Sequence, residues 1–393
     1  MIYLDNASTT RIDPLVLEAM LPYLKEEYGN AGTLYALGRR ANEAIEKART
    51  QVAEFIGAKP EQIVFTSGGT ESNNTVFLSL LDFLKASEKT HVITASNEHD
   101  SVLKSARNLC IKHGFDVTYL PVNKVGCVEP GNLRAALRDD TGLVSIMYMN
   151  NETGSENPIE ELGRMCSEHG ILFHTDCVQA AGCSKLDVDK FHCDFLSLSS
   201  HKIHGPKGVG ALFVRHRGMC NPLIHGGSSQ EFGLRGGTEN VAGIVGFGAA
   251  CALMNKQLHD VDIHNSSLKQ IFYNVLKDAL EQCGIPNVLH INGDLVIKHG
   301  KTINLRFDGV DAETLLLVLD ARGVCVSAGS ACRSHESEPS HVLLAMGIDP
   351  EDARNSVRFS FSKMNTEDEI REAAWIVAES VSTLYAQSHT YLA

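Results

Sequence analysis

From about residue 60 to residue 215, short apolar runs alternate with segments of helical periodicity. That alternation leaves few folds open. Ile63 to Thr66 reads as a strand and Glu71 to Lys85 as a helix. His91 to Ala95 reads as a strand, Ser101 to His113 as a helix, and Val117 to Leu120 as the next strand. Leu143 to Met149 follows as a strand, then the helix Ile159 to His169 and the strand Ile171 to His174. The apolar run Phe195 to Leu198 and the strand Val209 to Val214 complete the series. Strands separated by helices imply a mostly parallel sheet with helices on both faces, an α/β architecture.

After Asn240 the pattern changes. Helical stretches run from about 240 to 284. They are followed by the strand Lys301 to Phe307, the helix Ala312 to Ala321, the strands Val324 to Val326 and Ser356 to Phe361, and the helix Glu367 to Leu384. This reads as a smaller α+β unit. The expected division is a large domain over residues 14–258 and a small domain made of 1–13 and 259–393.

The chemistry begins with an aspartate and a lysine 26 residues apart, Asp176 and Lys202, each just after an apolar run. At strand ends they would face one side of an α/β sheet, where ligands bind. That suits pyridoxal 5'-phosphate (PLP), which needs a lysine for its Schiff base and an acid against its pyridine nitrogen. Asp176 also reads as a turn or N-cap residue. A buried carboxylate needs a cationic partner, and a protonated pyridine supplies one. Gln179 lies close enough to share a ligand. Lys202 also reads as a surface lysine, and Lys207 competes with it; Lys202 lies nearer the strand end and is preferred.

Three further turns follow strands. Thr66-Ser67-Gly68-Gly69-Thr70-Glu71 opens a helix, and its glycines and free N–H groups suit a phosphate; otherwise it is a glycine turn with Thr70 as N-cap. Ser96-Asn97-Glu98-His99 puts a histidine past a strand end, placed either to stack on a flat cofactor and move protons or simply to start a helix. Asn150-Asn151-Glu152-Thr153-Gly154 offers amides to a ring oxygen, or is a polar loop.

The stretch from Ser327 to Pro339 has no large apolar side chain and reads as an exposed, mobile loop. It carries Cys332 beside Arg333 and near His335, both able to favour a thiolate. Cys325 is expected to pack within its strand. Arg358 is either a salt-bridge residue or a bidentate clamp for a substrate carboxylate.

Composition narrows the partners. The net charge of −13 argues against binding nucleic acid through the chain's own phosphate contacts, but not through a partner. No apolar run reaches the roughly 18 residues of a membrane span, so no membrane association is expected. The N-terminus has neither a signal nor a basic transit pattern. Eleven cysteines without a CxxC pair fit reduced thiols in the cytoplasm, most of them small buried hydrophobes, and no metal site is expected.

With these residues in view, the chain resembles the NifS/IscS-type cysteine desulfurases of the class-V aminotransferase family. The resemblance runs through Tyr3-Leu4-Asp5 with Thr9-Thr10, Thr66 to Asn74, Glu98-His99, Asn150-Asn151-Glu152 and Gly154. It continues through Asp176 with Gln179, Ser199 with His201 to Gly208, and Arg235 with Gly237-Thr238. Gly329-Ser330-Ala331-Cys332, Glu338-Pro339-Ser340 and Arg358-Phe359-Ser360 close it. It implies a fold-type I PLP-dependent transferase with a seven-stranded, mostly parallel sheet and a cysteine loop at about 327–339 in the small domain.

The resemblance also assigns roles. Lys202 binds the cofactor, Asp176 holds its nitrogen protonated, Gln179 contacts its hydroxyl, and His99 stacks on it. Gly69, Thr70, Ser199 and His201 hold the phosphate, with Thr238 reaching in from the second subunit of a homodimer. Asn151 and Arg358 orient the carboxylate of L-cysteine. Cys332 takes the sulfur as a persulfide, leaving L-alanine. The acceptor is a protein of iron–sulfur assembly, tRNA thiolation or DNA phosphorothioation. Ser200 also departs from the family's usual residue, and the unusual Tyr35 and Arg333, with a short tail, favour a dedicated partner such as the last. A selenocysteine lyase, an aminotransferase or a non-catalytic sulfur relay fits these features less well.

Overall fold

The structure, a computed structural model, describes residues 1–294, 300–329 and 338–390. Seven strands form the main sheet in the order Ile63–Thr66, Gly210–Val214, Phe195–Ser199, Leu172–Asp176, Thr141–Ser145, His91–Ala95 and Asp116–Leu120. The last five are mutually parallel. Gly210–Val214 runs antiparallel to both neighbours, so Ile63–Thr66 points the same way as the five. The expectation of a mostly parallel sheet between helices holds.

Alternating side chains give this sheet two buried faces. Ile63, Phe65, Ile93, Phe173 and Leu196 pack into one core with Ile45, Val52, Leu162 and Phe247 from the helices. Val64, Val92, Phe195 and Leu212 face the other way, onto Phe77, Val102 and Leu109.

Two elements depart from the sequence reading, each for a local reason. The helix expected over Glu71 to Lys85 divides into Gly69–Ser79 and Leu81–Ala86. The Ser79 carbonyl accepts Asn221 N instead of continuing the helical ladder. The strand expected to reach Met149 ends at Ser145. Beyond it, Met147 N donates to the Glu98 carboxylate at 2.6 Å. The structure also contains the helices Pro14–Lys25 and Ala36–Ile56 and the strand Leu289–Asn292, none of which the sequence pattern resolved.

The helical stretch after Asn240 is one helix, Val241–Gln282. By length and composition it would suffice to cross a membrane, yet half of its apolar window is buried inside the protein. Its first half, through Val261, packs into the core beneath the main sheet. From Leu268 onward it packs into a separate core with Leu305, Phe359 and Val377. That second core lies against an antiparallel sheet of Ser356–Ser360, Thr302–Phe307 and Leu289–Asn292. Ile2–Tyr3 pairs with Val324–Cys325 nearby. Of the ten described cysteines, Cys166, Cys177, Cys183, Cys193 and Cys251 are buried and only Cys110 is exposed.

Phe272 sits where the long helix meets this smaller sheet, its ring 4.7 Å from Phe359 and 5.5 Å from Phe361. Truncation leaves a cavity that the surrounding rings cannot fill. Phe272→Ala is expected to cost about 3–5 kcal/mol of stability, read from the urea midpoint of the purified protein.

Candidate active site

Because six strands run the same way, the turns that follow them converge on one edge of the sheet. Asp176 is the last residue of its strand, and Lys202 lies just past Ser199 in a short 3-10 turn. His99 follows Ala95, Asn151 follows the strand ending at Ser145, and Gly68-Gly69 follow Thr66. Asp176, Lys202, His99, Asn151 and Gly69 line one cavity of about 180 Å³, and Gly68 borders the adjoining recess with Gly69 and Thr70. Thr70, Gln179, Ser199, His201 and Arg358 border the cavity as well. Thr238 does not line it in the single chain. Cys332, with Arg333 and His335, lies outside the described residues.

Asp176 is buried, and its two oxygens are engaged separately. Oδ1 accepts Val178 N at 2.9 Å, and Oδ2 accepts Asn73 Nδ2 at 2.7 Å. The same Asn73 amide donates to Ser101 Oγ at 2.8 Å, and Ser101 Oγ lies 2.7 Å from His99 Nδ1. Ser101 N also donates to that nitrogen at 3.2 Å. Two donors on Nδ1 make it the acceptor, so the neutral ring carries its proton on Nε2. His99 is thus also the N-cap of the helix Asp100–His113. The helix-start role and the cavity role are met by the same side chain.

The lysine turn rests on the N-terminal segment. Lys202 Nζ donates to Ala7 O at 2.5 Å and Ser8 O at 2.8 Å. Thr10 donates to His201 O through both N and Oγ1. His201 Nδ1 lies 3.1 Å from Thr9 Oγ1. Burial, reinforced by Lys202, Lys301 and Lys207, lowers the His201 pKa to about 3, so the ring is neutral at physiological pH. Gln179 Nε2 donates to Ala7 O at 2.9 Å.

At the other end, Gly68 has φ +152°, a conformation that side chains rarely adopt, and it caps the helix Gly69–Ser79. A Cβ on Gly69 would sit 2.7 Å from Val178 Cγ2. The two glycines therefore keep open a concave helix start with free N–H groups, beside Ser199 and His201 and with exposed Lys207 at its rim. This cradle fits a phosphate, and the buried carboxylate across the cavity fits a protonated ring nitrogen. The residues present therefore match PLP at both ends.

Arg358 is 1% exposed. Nη2 contacts Asp5 Oδ1 at 2.7 Å and Ser8 Oγ at 2.6 Å, while Nη1 donates to Asn151 O at 3.0 Å. The salt-bridge alternative is therefore realised, on a side chain that also borders the cavity. Sequence reasoning gave no role to Asn73, Ser101, Met147, Ala7 or Ser8, all of which line the cavity. Asn73 carried a usable signal, since it lies one helical turn after Gly69, on the same face.

The aminotransferase class-V family model matches residues 2–372. A cysteine desulfurase IscS of Methanosarcina thermophila is 43% identical over 383 residues, 98% of this chain and 92% of the relative. Among solved structures, a NifS-like protein superposes with a TM-score of 0.88 at 37% identity, covering 97% of this chain and 99% of its own. A structure described as SspA in complex with cysteine has a TM-score of 0.78 at 36% identity, covering 93% and 100%. The chain belongs to the class-V aminotransferase family, among its NifS/IscS-type cysteine desulfurases.

His174, two residues before Asp176 on the same strand, offers a pH test. Its ring lies 2.8 Å from Ser145 Oγ and 3.0 Å from Ser197 Oγ, and burial lowers its pKa to about 3. The folded state holds it neutral, whereas the unfolded chain takes up a proton near pH 6.5. Its contribution is complete above that pH and is lost as pH falls toward 3. The stability advantage of wild type over His174→Gln is expected to shrink by about 1.4 kcal/mol per pH unit below pH 6, measured by urea unfolding.

Proposed function

We propose that this chain is a PLP-dependent cysteine desulfurase. It converts L-cysteine to L-alanine and carries the sulfur as a persulfide on Cys332 before passing it to an acceptor protein. The observation that carries this reading is the Asp176–Asn73–Ser101–His99 hydrogen-bond chain in one cavity with Lys202. When bound, PLP supplies an electron sink that lets a C–S bond one carbon from the substrate's α-carbon break.

The chain's residues divide the remaining work. Lys202 Nζ binds the cofactor covalently. Asp176, held by Asn73, keeps a negative charge against the ring nitrogen, and Gln179 contacts the ring hydroxyl. Gly69, Thr70, Ser199 and His201 hold the phosphate, and Thr238 of a second copy completes that end in a homodimer. His99 stacks on the ring and moves a proton at Nε2, the nitrogen left protonated by its two contacts at Nδ1. Asn151 and Arg358 orient the substrate carboxylate; Asp5 and Ser8 keep the guanidinium in place for it. Cys332 attacks the substrate sulfur as a thiolate, because sulfur transfer needs a soft nucleophile that can bind it and then give it up. In this reading a large domain of residues 14–258 and a small domain of 1–13 with 259–393 both line the cavity, the small one through Ala7, Ser8 and Arg358.

Sulfide and alanine release from L-cysteine, with a thiol reductant, tests the reading. Lys202→Ala and Cys332→Ser should each lose at least about 100-fold in rate, the scale of removing an essential nucleophile. Only Cys332→Ser should keep the absorbance of lysine-bound cofactor. Full activity in Cys332→Ser would mean that sulfur leaves by another route. Radiolabelled persulfide on Cys332, offered to an iron–sulfur scaffold, a tRNA-thiolating enzyme and a DNA-phosphorothioation protein, identifies the acceptor by the protein that takes up the label.

A further inference from the structure

Lys301 has no part in the chemistry above, yet it reaches the centre of it. It is 4% exposed and stands at the start of the strand Thr302–Phe307, in the smaller sheet. From there its Nζ donates to the main-chain carbonyl oxygen of Lys202 at 3.0 Å. Among the described residues it makes no ion pair. Burial lowers its pKa, and nearby Arg358 lowers it further. A buried amine without a carboxylate partner is costly, and replacing such a group by an apolar side chain of similar length is often neutral or stabilising. A residue kept only for stability would not be a lysine here.

The place it touches explains the arrangement. Lys202 ends a 3-10 turn that must reverse at once, because His204 has φ +65°. Such backbone needs support from outside the turn. Thr10 N and Oγ1 hold His201 O, Thr10 Oγ1 accepts His204 N, and Asp13 N holds His204 O. Lys301 holds the carbonyl between them.

We propose that Lys301 is a positioning residue for Lys202: its hydrogen bond fixes the turn that aims Lys202 Nζ at the cofactor. This rests on the PLP reading above. The step it serves is condensation of the Lys202 amine with the cofactor aldehyde, which forms a C=N bond and releases one water. Lys301 exchanges no proton or electrons in that step.

The test uses full-length protein stripped of cofactor and mixed with PLP. It follows the absorbance of the lysine-bound cofactor, then borohydride reduction and peptide mapping at Lys202. Lys301→Met is expected to slow bond formation about tenfold, the worth of one good hydrogen bond, while its melting temperature stays equal or rises. Lys301→Gln, which keeps a donor without charge, should recover to within about threefold of wild type. A wild-type rate in Lys301→Met would overturn the proposal and leave the PLP reading standing. A fall in melting temperature alongside the rate in both variants would also overturn it, by showing a structural role. Absence of label at Lys202 in wild type would remove the PLP reading itself.

Discussion

Parallel strands end together, and this chain places its chemistry on that fact. Six of the seven main strands point one way. Asp176, Lys202, His99, Asn151 and the Gly68-Gly69 turn come from widely separated parts of the sequence, yet all lie at or just past strand ends. Reversing one of those strands would carry its turn to the far edge of the sheet. The helices on both faces stabilise the same arrangement, because each strand buries alternate residues in two cores.

Within that frame the cavity is wired by short polar contacts rather than filled by apolar ones. Asn73 joins the Asp176 carboxylate to Ser101, and Ser101 sets the tautomer of His99. Buried polar groups are expensive unless paired, so such a chain is a strong restraint on geometry. Among the described residues, Glu98 is paired through only one of its carboxylate oxygens. It is fully buried, accepts Met147 N, and has its pKa pushed well above the carboxylate range by burial and by the charge of Asp176.

The smaller sheet contributes more than a second core. The N-terminal segment and Lys301 grip the lysine turn, and Arg358 is set by Asp5 and Ser8. Both sides of the cavity are therefore braced across the junction. Motion of one sheet relative to the other would be felt at Lys202 and Arg358 together.

Much of this was legible in the chain. The strand–helix alternation set the architecture, because period and turn residues are local properties. The Asp176–Lys202 pair, His99 and the glycine turn stood out because each follows an apolar run. Asn73, Ser101 and Lys301 did not, since their meaning lies in partners 28, 103 and 99 residues away. The early ends of the Thr141–Ser145 strand and the Gly69–Ser79 helix escaped for the same reason: Glu98 and Asn221 intervene from distant segments. Residue type and spacing thus decided the class of fold and which polar side chains could meet at the cavity. Their orientation, protonation and bracing were decided by tertiary structure, because hydrogen bonds and burial depend on which distant groups arrive at the same place.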